Sequence, residues 1–195
     1  MPVHRLALLV SIFGGLAWIS LTLVPPECAP VTEASEIFCN RLWTAPLTAM
    51  LIGAVGLFWL LRPVVSSATK SSVLAMAIGF AMMASGNGGE YWIAFALPHQ
   101  GGAGALVRSL LWITVLAGWL TALVASVVTG VGLHNPATGY GRPRWMSLLF
   151  VLPLPLTFVF ATLGPSRMGI PVGLLSVLIG VYGLATRDET VKVPR

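Results

Sequence analysis

Apolar residues in this chain do not alternate with polar ones. They gather into six long blocks, at 6–24, 46–61, 72–97, 106–133, 146–163 and 170–186. The connectors between them are rich in Pro, Gly, Ser and Thr, the residues that punctuate regular structure. A run such as Leu174-Leu175-Ser176-Val177-Leu178-Ile179 lacks the period-two pattern of a barrel strand. An open sheet is excluded in lipid, where its edge groups would find no hydrogen-bond partners. One helical crossing of a hydrocarbon core about 30 Å thick takes about 20 apolar residues. The pattern therefore predicts an all-α, polytopic integral membrane protein. It is read as one transmembrane domain over residues 1–195, built as a bundle of six transmembrane helices.

Two blocks carry interruptions. The third, 72–97, would be about 39 Å long as one straight helix, more than the hydrocarbon core requires. It contains Gly86-Asn87-Gly88-Gly89, a helix-weakening cluster. A break near 86–89 is expected, followed by an interfacial piece holding Glu90, Tyr91 and Trp92, because Tyr and Trp favour the headgroup level. In the fifth block, Pro153 and Pro155 predict a kink. Such prolines can line a cavity, but they are common in membrane helices, and the plainer reading is preferred.

Composition narrows the class. The chain is 56% hydrophobic and 9% charged, with a mean hydropathy of +0.89. This excludes a water-soluble enzyme, a disordered chain and a nucleic-acid-binding module, because a soluble domain carries about 25% charged residues. The net charge of +5 comes from basic residues scattered at block ends. Six crossings place Arg5, Arg62, Lys70, Arg142, Arg144, Arg187, Lys192 and Arg195 on one side, and Arg41, Arg108 and Arg167 on the other. The positive-inside rule then puts both termini in the cytoplasm. The first block is read as a retained helix: it is long for a signal sequence, and Glu27 stands where a small residue should precede cleavage. The brevity of the chain suggests a bacterial inner (plasma) membrane.

Candidate chemistry is sparse. Gly118, Ala122, Ser126 and Gly130, with Thr114 ahead of them, repeat every four residues and form one helix face. Similar sets are Ala77, Ala81, Ser85 and Gly89; Ala45, Ala49 and Gly53; and Gly173, Ser176, Gly180 and Gly183. Small residues let membrane helices approach closely. They are read as packing within the bundle, with one face left for a partner. Cys28 and Cys39 share the expected outer loop 25–43, in a compartment that permits disulfides. A disulfide is preferred there, since the loop has no histidine for zinc and no Cys-x-x-Cys spacing.

Asn87, Glu90, Tyr91, Trp92, His99 and Arg108 fall at the outer side. They form a candidate ligand-binding cluster: a carboxylate, a guanidinium and an imidazole under an aromatic rim. The plainer reading is that Glu90 pairs with Arg108 and ties two helices together. His4 and His134 lie near helix ends on the inner side, so haem or a chlorophyll-type pigment is a minor alternative; no cofactor and no metal are predicted. No nucleophile, base and oxyanion donor assemble, and no catalytic residue is proposed. The expectation is a non-catalytic integral membrane subunit, or an assembly or stabilising component of a larger membrane complex. Its expected partners are membrane lipids and other integral membrane subunits or a second copy, with no role for nucleic acid. The alternative is a small-solute carrier or substrate-binding membrane subunit with a polar site near the outer face.

Overall fold

The computed structural model describes residues 2–23, 33–93, 102–135 and 144–186. All regular structure among them is helical: α1 (Val3–Leu23), α2 (Glu33–Leu61), α3 (Ser67–Gly88), α4 (Gly102–His134), α5 (Arg144–Leu148), α6 (Pro153–Thr162) and α7 (Ile170–Ala185). A π turn, Gly89–Ile93, continues α3, and 3-10 turns at Leu149–Val151 and Pro165–Gly169 precede α6 and α7. Five helices are long and apolar enough to cross a membrane, or six if the bent α5/α6 pair counts as one span. The architecture is compatible with a multi-pass helical membrane bundle.

Two expectations about element bounds need correction. First, the loop expected over 25–43 is helical from Glu33, so α2 begins well before Pro46. Pro46 removes one backbone bond but leaves the helix intact, as apolar neighbours allow.

Second, the chain does not break at 86–89. Gly89 has φ −61° and ψ −42°, and among the described residues only Gly164 has a positive φ. The glycines serve packing instead. A Cβ at Gly86 would lie 2.8 Å from the Leu111 carbonyl oxygen, and one at Gly89 would lie 2.8 Å from the Leu111 side chain. The kink expected in the fifth block is present: the block divides into α5 and α6, bent by 45° just before Pro153. Pro153 has no N–H, and Phe150 fills the elbow, packing edge-on against Tyr182 at 5.4 Å.

The helices pack in a ring. α1 lies between α2 and α7, α3 lies between α2 and α4, and α5 and α6 close the circuit from α4 to α7. Large side chains fill the interior, among them Leu8, Leu47, Met50, Phe80, Leu123 and Ile179. Close approaches at small residues hold the walls together. A Cβ at Gly118 would sit 2.5 Å from the Gly79 carbonyl oxygen, and one at Gly79 would sit 2.6 Å from the Gly118 carbonyl oxygen. Gly15 and Gly173 meet in the same way between α1 and α7.

At the junction of α1, α2 and α7, Ser11 and Ser176 exchange hydrogen bonds. Ser11 Oγ donates to the Ser176 carbonyl at 2.9 Å and Ser176 Oγ donates to the Ser11 carbonyl at 2.8 Å. Gly53 of α2 makes room for Ser11. Between α3 and α4, the buried hydroxyls of Ser72 and Thr129 lie 2.9 Å apart.

Of the small-residue sets, the α4 face and the α7 face turn inward: Gly118, Ala122, Ser126 and Gly130 are buried, as are Gly173, Ser176, Gly180 and Gly183. In α3 the expected face is rotated. Ser85 is exposed and bonds back to the Met82 carbonyl, while Gly79 and Gly86 make the contacts with α4. In α2, Ala45 is exposed while Ala49 and Gly53 meet Gly14 and Ser11 of α1. Replacing Gly118 or Gly79 by Leu is expected to destabilise the fold by about 1–3 kcal/mol or more through overpacking. Gly102→Ala, which meets open space, is expected to stay within about 0.5 kcal/mol. Thermal unfolding of the detergent-solubilised variants checks this order.

Candidate functional site

The polar side chains meet at the end of the bundle where α1 finishes. There Trp18 Nε1 donates to the Gly169 carbonyl at 2.8 Å, and the rings of Trp18 and Trp43 lie 5.1 Å apart, tilted by 57°. Beside them, α2 meets the end of α3. Asn87 Nδ2 donates to Thr44 Oγ1 at 2.9 Å. Arg41 Nε donates to the Tyr91 carbonyl at 2.8 Å, and the guanidinium carbon stands 4.8 Å from the centre of the Trp92 ring.

The local reasons are electrostatic and steric. Tyr91 lies in the π turn that ends the α3 rod, where carbonyl oxygens gather at the negative end of the helix dipole. A guanidinium is well suited to that position. The π turn also carries the side chains around the axis differently from an α turn. Tyr91 is thereby buried while Trp92 stays 57% exposed. Glu90 is half-buried, with its Oε2 atom buried. Arg108 is half-buried in the opening turns of α4, the helix packed against the π turn.

Of the residues singled out in the sequence, Asn87, Glu90, Tyr91 and Trp92 thus fall on one continuous helical segment facing α2 and α4. His99 lies outside the described residues. Cys28 also lies outside them, and the described part of α2 gives no side-chain geometry for Cys39, so their pairing is an expectation only. His4 is in the first turn of α1 and His134 is the last residue of α4; neither stands at mid-helix.

Arg41 and Thr44 join the cluster although sequence reasoning assigned them no site role. Their signal was weak. Arg41 is one of three basic residues on the predicted outer side, and the loop assigned to 25–43 hid its helical register.

Elsewhere, two adjoining grooves run along the outside of the α3–α4 pair toward the opposite end. One, of about 600 Å³, is lined by residues including Ser66, Thr69, Gly132 and Asn135. The other, of about 520 Å³, includes Ser71, Ala75, Thr121 and Val128. Both offer hydroxyls and aliphatic groups, the first also the Asn135 amide, with no ionisable side chain in their linings. They are suited to packing and solvation by apolar groups and hold no candidate acid or base.

Comparison with protein families, with curated proteins and with solved structures finds no match for the chain. The functional reading therefore stands on the residues and their geometry.

The Asn87–Thr44 bond joins α3 to α2 at this end. A double-mutant cycle with Asn87→Ala and Thr44→Val is expected to give a coupling of about 0.6–1.7 kcal/mol, the range of interhelical hydrogen bonds in membrane proteins. Unfolding of the two single variants and the double variant measures it.

Proposed function

We propose that this chain is a non-catalytic integral membrane subunit that stabilises or assembles a larger membrane complex, with both termini in the cytoplasm of a bacterial cell. The observation that carries the reading is where the ionisable groups stand. His4, Arg5, Lys70, Glu90, Arg108 and His134 all lie within about two helical turns of a helix end. The buried polar side chains among the described residues are hydroxyls and the Asn87 amide, and the hydroxyls hydrogen-bond helix to helix or back to their own helix. Proton relays and voltage sensors place charged groups within the membrane. The polar groups of this interior instead serve cohesion.

Native mass spectrometry of a gently solubilised membrane extract tests the proposal. The expected result is co-purification with other integral subunits in fixed stoichiometry. Gly118→Leu is expected to disrupt that assembly more than Glu90→Gln does. Reporter tags are expected to place both ends of the chain on the cytoplasmic face. A lone monomer in the extract would overturn the subunit reading.

The cluster of Asn87, Tyr91, Trp92 and Arg41 favours a second reading, a small-solute carrier or binding subunit with its site near the outer face. Loss of solute uptake in Glu90→Gln or Arg108→Ala, with folding and assembly intact, would favour that reading over the first.

A further inference from the structure

α2 carries an arginine at each end of its apolar stretch. Arg41 opens the span Arg41–Leu61, and Arg62 follows it directly. The Arg62 backbone N–H still donates to the Phe58 carbonyl, at 2.9 Å, so the helical path reaches it. At 1.5 Å per residue the two are separated along the axis by about 31 Å. That is close to the thickness of a bilayer hydrocarbon core, about 30 Å.

Both guanidiniums are held in the same manner. Arg41 lies over Trp92, and Arg62 lies over Trp59 with its guanidinium carbon 3.7 Å from the ring centre. Both rings face outward, Trp59 being 51% exposed and Trp92 57%. Stacking covers a face of each guanidinium and leaves its N–H edges in the plane. Among the described residues Arg41 uses Nε for the Tyr91 carbonyl, which leaves the four N–H bonds of its two terminal nitrogens. Arg62 accepts no such constraint among the described residues and keeps its full fork. A planar fork beside an outward-facing indole, at the level where acyl chains give way to headgroups, has the geometry to grip a phosphate through paired charge-assisted hydrogen bonds. The acidic neighbour of Tyr91, Glu90, has Oε2 buried and withdrawn from that surface.

We propose that Arg41 and Arg62 are phosphate-binding positions for membrane phospholipids, one in each leaflet, and that together they set the depth of α2 in the bilayer. The ligand chemistry is a phosphodiester carried on two acyl chains. The chains lie along the exposed apolar surface of the bundle and hold the phosphate at the level of the arginine. The proposal is independent of whether the chain assembles with other subunits.

The test uses the full-length protein, delipidated in a phosphate-free detergent and titrated under native mass spectrometry with three probes: dipalmitoylphosphatidylglycerol, dipalmitoylglycerol and inorganic phosphate. The phospholipid is expected to occupy two more positions in the unmodified protein than in the Arg41→Gln/Arg62→Gln variant. Each single variant is expected to lose one position, through affinity roughly tenfold weaker, the scale of one charge-assisted bond. The glycerolipid without phosphate, and phosphate without chains, are expected to leave those positions empty. Equal phospholipid occupancy in the double variant overturns the proposal, and is the result expected if the arginines instead meet acidic groups of a partner protein. Equal binding of inorganic phosphate overturns the assignment to lipid. Should the glutamine variants fail to fold, Trp92→Leu and Trp59→Leu keep the charges and remove only the stacking surfaces. A severalfold weaker phospholipid affinity is then expected, and an unchanged affinity rejects the proposal.

Discussion

Close backbone approach at glycine is the constraint on which the rest of this structure depends. In a bilayer, surrounding acyl chains are as apolar as the helices themselves, so helices gain little from hiding leucine and must gain from dense contact. Gly79 facing Gly118 brings two backbones together where no Cβ could fit. Gly15 facing Gly173 does the same on the other side of α1. These two contacts set how near α3 stands to α4 and α1 to α7, and Gly14, Gly53 and Gly56 make the corresponding close approaches between α1 and α2. The Ser11–Ser176 exchange is a consequence. Two hydroxyls can reach across to each other's carbonyls only because the helices already touch, and because Gly53 leaves space above Ser11.

The same economy shapes the end where α1 finishes. The glycines at 86 and 89 keep α3 against α4, and the segment then widens into a π turn. That turn buries Tyr91, turns Trp92 outward and brings its carbonyl row to Arg41. A cation at a helix C-terminus is favourable on its own. Here it also links α2 to α3 and orients a guanidinium toward the surroundings. One change of helical register thus serves packing, electrostatics and the geometry of a candidate lipid contact.

The ring closes through its least regular member. α5 and α6 are short and bent relative to each other, and Phe150 at the bend fills the space between α4 and α7. Gly130 of α4 admits the Ser147 carbonyl and the Phe150 side chain. Thr157 returns a hydroxyl bond to the Pro153 carbonyl. A straight helix would present one continuous stripe to its neighbours; the bent pair presents two.

That the chain is built of several long apolar helices was legible in the sequence, because a hydrocarbon crossing imposes a length and a near-absence of charge that no local detail can disguise. The same is true of the small-residue faces of α4 and α7, whose four-residue rhythm survives in Gly118, Ala122, Ser126 and Gly130 and in Gly173 through Gly183. Asn87, Tyr91 and Trp92 stood out by residue type alone. Tertiary structure decided the rest. Whether 86–89 breaks a chain or lets it touch another depends on what lies opposite, and Leu111 is distant in sequence. Whether Arg41 belongs to a loop or to a helix facing Tyr91 depends on the extension of α2 ahead of Pro46. Glycine and proline weaken a helix locally, but their outcome is settled by the neighbours that occupy the space or satisfy the bond they leave, and those neighbours exist only once the chain has folded.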